Sequence, residues 1–203
     1  MHPADTEELS KLKSILRRKS ISFGEFTLAS GEKSNVYVDA KLTTCQAEAV
    51  PLIGSAFLDK LMVKGWFPEA VGGLTVGAEP IAFAIASESL KTGHLINAFI
   101  VRKEPKPHGM QRLVEGLETT QGRRVVVIDD VCSKGGSTAL AIKNAQSVGM
   151  IVIGAICLVD REMGAVDLLA HEFGCELESI FKLSDFDASH ESIVTADSVG
   201  ANV

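Results

Sequence analysis

Residues 125–138 read VVVIDDVCSKGGST, in which four apolar residues are followed by two carboxylates and then by a turn rich in serine and glycine. An uninterrupted apolar run is typical of a strand that is buried on both faces of a parallel sheet. The turn leads into a predicted helix from about residue 137 to 148, so backbone N–H groups and the positive end of a helix are available to a phosphate. Asp129 and Asp130 would repel a bare phosphate, and they indicate a ligand that also carries hydroxyls or Mg²⁺, as a ribose phosphate does.

Two common phosphate-binding motifs do not fit this stretch. Lys134 precedes the glycines, whereas the lysine of a Walker A loop follows them and stands directly before serine or threonine. The G-x-G-x-x-G fingerprint of dinucleotide-binding folds is also missing from residues 125–138. The simpler interpretation is a strand end with two solvated acids before a glycine-bearing helix start, and the length of the combined pattern disfavours it.

The rest of the chain alternates between helical and strand-like patterns on both sides of this stretch. The predicted elements are helices at about 5–19, 48–64, 79–91 and 137–148, strands at about 23–28, 36–39, 70–73, 95–101, 125–128 and 151–159, and two further core segments at 166–173 and 177–181. Continuous apolar strands that alternate with helices predict an α/β fold, with a mainly parallel sheet flanked by helices.

Composition excludes several classes of protein. The 203 residues carry 20 Lys and Arg against 26 Asp and Glu, a net charge of −6, and 46% of them are hydrophobic. The chain is therefore too apolar to be disordered and too acidic to be a general nucleic-acid binder, and no apolar run reaches the ~18 residues of a membrane span. We expect no nucleic-acid or membrane partner. The first residues lack a secretory signal pattern and the four cysteines form no C-x-x-C pair, so we expect reduced thiols and a cytoplasmic location.

A second segment carries a local excess of positive charge. Residues 102–112 contain four basic side chains against the single acidic residue Glu104: Arg102, Lys103, Lys106 and Arg112. Two prolines and a glycine in this segment favour a loop over a helix. The plain interpretation is a solvated basic loop, and the functional one is a mobile lid that presents cations to a polyanion.

These motifs resemble those of a known family. Residues 125–138 resemble the signature for phosphoribosyl diphosphate (PRPP) of type I phosphoribosyltransferases, and RKEPKPHG at 102–109 resembles the catalytic loop of the orotate phosphoribosyltransferases among them. FTLASGEKSNVYVD at 26–39 is similar to that family's N-terminal hood, GGLTVGAEP at 72–80 to its pyrophosphate loop, and VDREMGA at 159–165 to its V-D-R-x-x-G-A motif. The resemblance covers about residues 20–182.

The resemblance implies an activity and an assembly. It implies Mg²⁺-dependent transfer of the 5-phosphoribosyl group from PRPP to orotate, which gives orotidine 5′-phosphate and diphosphate in UMP synthesis. It also implies a homodimer in which the basic loop 102–112 completes the neighbouring active site. We expect one type I phosphoribosyltransferase-like domain over 1–203, with a helix and hood at about 1–45, a core at 46–182 and a polar tail at 183–203.

The resemblance also implies roles for individual residues. The catalytic residues would be Lys103, His108, Asp129 and Asp130. The PRPP contacts would be Arg102, Lys103, Lys106, His108, Asp129, Asp130, Val131, Cys132, Ser133, Lys134, Gly135, Gly136 and Ser137. Orotate would meet Lys33, Ser133 and Arg161. No direct protein ligand is assigned to Mg²⁺, which PRPP would hold for the most part, with Asp129 or Asp130 reaching it. Tyr37, the single tyrosine, is expected in the core.

The chain departs from the family pattern at four positions. Lys134 stands where threonine or alanine is common, Ala29 stands where one branch has lysine, and Pro105 and Pro107 stiffen the basic loop. Either the base-side contact of that lysine is absent here, or Lys33 takes it over. Two alternatives stay open at this point: a phosphoribosyltransferase for a purine base, and a non-catalytic regulator that senses PRPP. Hydrolase chemistry is disfavoured because H-E-x-x-H and G-x-S-x-G are missing.

Overall fold

The computed structural model describes residues 7–27, 33–104 and 112–186. Its helices are α1 (Glu7–Lys19), α2 (Lys41–Thr44), α3 (Val50–Val63), α4 (Ala78–Ser89), α5 (Gly136–Ser147) and α6 (Ala165–Phe173), with a closing 3₁₀ turn at Leu183–Phe186. Its strands are β1 (Ile21–Thr27), β2 (Lys33–Val38), β3 (Ala70–Leu74), β4 (Asn97–Val101), β5 (Val114–Glu115), β6 (Arg124–Cys132), β7 (Ile151–Asp160) and β8 (Leu177–Lys182).

Six strands form the central sheet in the order β5-β4-β3-β6-β7-β8. All neighbouring pairs are parallel except β4 and β5. Residues of α1, α3 and α4 pack into the core on one face of the sheet, and residues of α5 and α6 pack into the core on the other. Because both faces are covered, the middle strands are apolar along most of their length, which confirms the predicted α/β fold.

The strand that carries the acidic pair is longer than predicted. Its apolar run was expected to end at Ile128, but β6 continues to Cys132 because it stays paired with β7 as far as Asp160. Asp129 and Asp130 therefore lie near the end of a buried strand, and not in the loop that follows it. The strand β4, by contrast, is shorter than predicted. The prediction that it begins at Leu95 is wrong, since Leu95 is 63% exposed and the strand begins at Asn97.

The strands β1 and β2 form a separate antiparallel hairpin, which we call the hood. Ile21 pairs with Val38 and Thr27 with Lys33, with an irregularity between Phe23 and Phe26. The expectation of a core position for Tyr37 is wrong, because its side chain is 47% exposed and lies against the Phe26 ring on the hood.

Both ends of the described chain pack onto the core. Leu12, Ile15 and Leu16 of α1 are buried, as the predicted amphipathic helix requires. Phe186, in the segment expected to be a polar tail, is also buried and lies 5.5 Å from the Phe181 ring. The packing therefore runs at least to residue 186. None of the helices in the described ranges has the length and apolar character needed to cross a bilayer.

Candidate active site

Asp129 lies in a closed polar contact between β6 and α5. It is 6% exposed, and its Oδ2 accepts a hydrogen bond of 2.7 Å from the Thr138 hydroxyl. Its Oδ1 accepts from the backbone N–H of Asp130 at 3.0 Å. Burial raises the pKa of Asp129 to about 7, although the bond from Thr138 acts in the opposite direction. The carboxyl is thus held in one orientation where the strand meets the helix.

Asp130 faces a different set of neighbours. Its Oδ1 accepts from the backbone N–H of Val131 at 2.9 Å, and its Oδ2 lies 3.6 Å from the ammonium of Lys41. A Cβ placed on Gly77 would lie 2.4 Å from Asp130 Oδ1, so the absence of a side chain at Gly77 permits this close approach. Asp130 therefore lies where β6, α2 and the loop before α4 meet.

Lys41 is a site residue that the sequence analysis missed. Its ammonium lies between Asp130 and Asp39, 3.3 Å from Asp39 Oδ1. Burial acts to lower the pKa of Lys41, but the neighbouring Asp130 and Asp39 carboxylates outweigh it and raise this pKa above its usual value. The sequence places Asp39 and Lys41 directly after the hood. It does not show that Asp130 lies beside Lys41 in the folded chain.

The loop between β6 and α5 lines an open cavity of about 120 Å³. The structure brings nine residues of the predicted phosphate loop and its surroundings to this cavity: Asp129, Val131, Cys132, Ser133, Lys134, Gly135, Gly136, Ser137 and Thr138. Gly135 has a φ of 82°, in the left-handed region that glycine adopts readily, and α5 begins at the next residue. The first N–H groups of a helix have no acceptor within it, so the cavity is suited to an anion.

Cys132 contributes to this loop through its backbone. Its side chain is buried, and its Sγ lies 3.2 Å from Thr138 Oγ1. The neighbouring Cys157 thiol lowers the pKa of Cys132 by hydrogen bonding to it, whereas the pKa of Cys157 rises. All four cysteines carry free thiols, and Cys45 is the exposed one.

Arg161 connects the end of β7 to the hood. Its guanidinium donates to Ser34 Oγ at 3.2 Å and to the Val36 carbonyl at 3.4 Å. Its Nε is buried and has no hydrogen-bond partner among the described residues. Lys33, the first residue of β2, is exposed and adjoins Ser34. A buried donor without an acceptor is rare in folded proteins, and a bound water or a ligand oxygen would satisfy it.

The basic segment is anchored at its root. The Arg102 guanidinium donates through Nε to Glu115 Oε1 at 2.5 Å, and the Arg102 carbonyl accepts from Asn144 Nδ2 at 2.9 Å. Arg102 is therefore already ion-paired, whereas Lys103 is exposed. The predicted site residues Lys106 and His108, with Pro105 and Pro107, lie outside the described residues, as does Ala29.

The carboxylates fit a divalent cation only in part. In the three described ranges, no group of three or more His, Cys, Asp and Glu side chains is arranged to hold a metal ion. Asp129 and Asp130 do supply the oxygen ligands that Mg²⁺ prefers, and Mg²⁺ usually keeps waters and binds substrate phosphates as well. This donor set fits a cation that a phosphate ligand brings and that one carboxylate reaches.

Comparisons with known proteins agree with this geometry. Residues 53–192 match the phosphoribosyl transferase domain family. The orotate phosphoribosyltransferase of Aquifex aeolicus is 44% identical over 181 residues, which are 88% of this chain and 97% of that protein. This chain belongs to the orotate phosphoribosyltransferase family.

Solved structures of phosphoribosyltransferases share the fold. The orotate phosphoribosyltransferase of Mycobacterium tuberculosis in complex with PRPP is 35% identical, with a TM-score of 0.74 over 88% of this chain and 98% of that one. The adenine phosphoribosyltransferase of Leishmania tarentolae is 15% identical, with a TM-score of 0.60 over 88% of this chain and 90% of that one. The fold is thus common to enzymes for different bases, and the sequence identity places this chain in the orotate phosphoribosyltransferase family.

Proposed function

We propose that this chain transfers the 5-phosphoribosyl group of PRPP to orotate, which gives orotidine 5′-phosphate and diphosphate in UMP synthesis. The observation that carries the proposal is the junction of β6 and α5, where two buried carboxylates adjoin a glycine-bearing cavity lined by the first turn of a helix. One ligand that satisfies both features is a sugar with hydroxyl groups and a phosphate. Arg161 lies between this junction and the hood, where the base would bind.

Each part of the substrate has a matching group in the chain. Residues 132–137 would bind the 5-phosphate through backbone N–H groups, with Lys134 adding positive charge. Asp129 and Asp130 would accept hydrogen bonds from the ribose hydroxyls. The bond from Thr138 would hold the Asp129 carboxyl in one orientation. Ser133 and Lys33 would lie beside the base. Transfer at the sugar C1 then depends on positioning and on stabilisation of developing charge.

The leaving diphosphate would meet the basic segment. Lys103 is exposed at the start of this segment, and we propose that Lys103, Lys106 and His108 neutralise the diphosphate in the site of a second subunit of a homodimer. Mg²⁺ bound with the diphosphate would supply further charge neutralisation, and Asp129 or Asp130 are the residues that would reach it. Arg102 would act from the root of the segment, where Glu115 holds its guanidinium.

The domain organisation, location and partners of the enzyme belong to the same proposal. The whole chain would form one phosphoribosyltransferase domain, in which the hood covers the base and the core holds PRPP. Four free thiols are compatible with a reducing compartment, and we propose the cytoplasm. Its partners would be PRPP, orotate and a second copy of the chain, without nucleic acid or membrane.

The direct test is consumption of orotate, followed by ultraviolet absorbance. We expect orotate to be consumed only when PRPP and Mg²⁺ are both present, and adenine and xanthine to stay unchanged under the same conditions. Consumption of a purine in place of orotate would overturn the substrate assignment. Binding of PRPP without consumption of any base would replace the enzyme with a PRPP-sensing regulator.

Replacement of Arg161 tests the position of the base. We expect Arg161→Met to raise the KM for orotate at least about tenfold, because a charge-assisted hydrogen bond to a ligand oxygen contributes about 1.5–3 kcal/mol. The KM for PRPP should stay within about a factor of three. Steady-state kinetics with each substrate varied in turn measure both constants. A Ser34→Ala variant controls for the lost hood contact, and a comparable rise in that variant would assign the effect to hood geometry.

A further inference from the structure

Lys41 is set in an acidic environment that includes the most important carboxylate of the proposed site. Its ammonium contacts Asp130 at the end of β6 and Asp39 after the hood strand β2. Lys41 and Asp130 are 89 positions apart in the chain, and each lies on a different element. The lysine thus joins the hood side of the site to the ribose side.

The contact is unequal for its two partners. The Lys41 side chain is 51% exposed, whereas the Asp130 side chain is 13% exposed. An exposed lysine contributes little to stability through an ion pair, but a buried carboxylate is costly unless an opposite charge or hydrogen bonds accompany it. The ion pair therefore matters more for Asp130 than for Lys41, because Lys41 directly affects the charge and the orientation of the Asp130 carboxylate.

A divalent cation would compete for the same oxygen. Carboxylate oxygens are the ligands that Mg²⁺ prefers, and Lys41 already lies 3.6 Å from Asp130 Oδ2. Asp39 Oδ1 lies 3.3 Å from the same ammonium, so removal of the lysine charge would leave two carboxylates around the position that it occupies. Such a pair attracts free cations and repels the phosphates of an incoming substrate.

We propose that Lys41 is a positioning residue that holds the Asp130 carboxylate and occupies the place of a divalent cation until the ribose diphosphate arrives. The substrate-free enzyme then binds a divalent cation weakly. This role rests on the proposed function for its account of the substrate. Its effect on metal binding by the free enzyme follows from the contacts around Asp130 alone.

The test is a titration of the substrate-free enzyme with Mn²⁺, in which electron paramagnetic resonance measures the free ion. We expect Lys41→Met to bind Mn²⁺ at least about fivefold more tightly than the unmodified chain, in line with the loss of a partly exposed ion pair. Lys41→Arg, which keeps the charge, should bind it as weakly as the unmodified chain. The gain should disappear in the Lys41→Met, Asp130→Asn double variant.

Two controls make the result decisive. Lys91→Met removes an exposed lysine that is paired with Glu88 at 2.8 Å, far along the chain from this site, and it should leave Mn²⁺ binding unchanged. Circular dichroism and thermal melts confirm that each variant is folded. Equal Mn²⁺ affinity in Lys41→Met and the unmodified chain would overturn the proposal, as would a gain that persists without Asp130.

A kinetic readout separates positioning from a purely structural role. In Lys41→Met we expect the KM for PRPP to rise about tenfold at low Mg²⁺ and to fall back as Mg²⁺ is raised, while the KM for orotate stays within about twofold. A structural defect would lower kcat at every Mg²⁺ concentration, and that result would contradict the proposal. Because the Mn²⁺ titration needs neither orotate nor turnover, a failure of the proposed function leaves it interpretable.

Discussion

Asp130→Asn is expected to lower kcat/KM for PRPP by about 100- to 1000-fold, which corresponds to about 2.7–4 kcal/mol of lost transition-state stabilisation. Asparagine has nearly the same shape, and its side-chain oxygen can still accept the bond from the Val131 N–H, which is 2.9 Å long in the structure. It lacks the negative charge, however, so it interacts more weakly with ribose hydroxyls, with a bound cation and with the positive charge that develops at C1. The loss should therefore appear in catalysis and not in folding.

The measurement is steady-state kinetics with PRPP varied at saturating orotate, together with a urea titration of each variant. Asp185→Asn is a matched control, since this exposed residue of the 3₁₀ turn accepts a backbone hydrogen bond from Lys182 and has no part in the proposed site. It should keep full activity. A fully active Asp130→Asn enzyme would show that Asp130 is not a catalytic residue. It would also overturn the assignment of this edge of the sheet as the active site.

Gly73→Ala is expected to lower the free energy of unfolding by about 3 kcal/mol, at the upper end of the usual cost of overpacking. A Cβ on Gly73 would lie 1.9 Å from the Ile128 carbonyl oxygen and 2.8 Å from Ala78 Cβ. The first of these atoms belongs to the backbone of β6, which is paired to β7 and cannot move without loss of sheet hydrogen bonds. The collision therefore displaces the strand that carries Asp129 and Asp130.

Urea denaturation followed by circular dichroism measures this loss. Gly136→Ala is the matched control, because a Cβ there meets nothing within 4 Å, and its stability should stay within about 0.5 kcal/mol. If Gly73→Ala were as stable as the control, β3 and β6 could not approach as closely as the structure has them. Because the displaced strand holds the acidic pair, residual folded enzyme should also bind PRPP more weakly.

The α/β architecture could be predicted from local patterns. The run Val125–Ile128 is apolar without interruption, and such a run is compatible with burial on both faces of a sheet whatever lies around it. The turn rich in serine and glycine was likewise predicted to lead into a helix, and α5 begins at Gly136 in the structure. These features depend on residues that are close together in the chain, so the sequence contains them directly.

Other features could not be predicted, because they depend on elements that meet only in the folded chain. Nothing in the sequence near Gly77 indicates that its missing side chain makes room for Asp130, which lies on another strand. Tyr37 was expected in the core because a lone aromatic residue in a strand is usually buried, yet the hood is a two-stranded hairpin and half of this side chain is exposed. Arg161 was predicted as a base contact, but its bonds to Ser34 and Val36 of the hood were not.

By itself, then, the amino-acid sequence determined which segments are buried strands, which carboxylates end the strand β6, and that a turn rich in serine and glycine follows them and leads into a helix. These properties follow from hydrophobic periodicity and from backbone conformation, which act over a few residues. Only the tertiary structure decided that Lys41 faces Asp130, that Arg102 is held by Glu115 and that Arg161 reaches the hood. Such contacts join residues as much as 127 positions apart, and they exist because the strand order of the sheet brings the ends of separate strands to one edge.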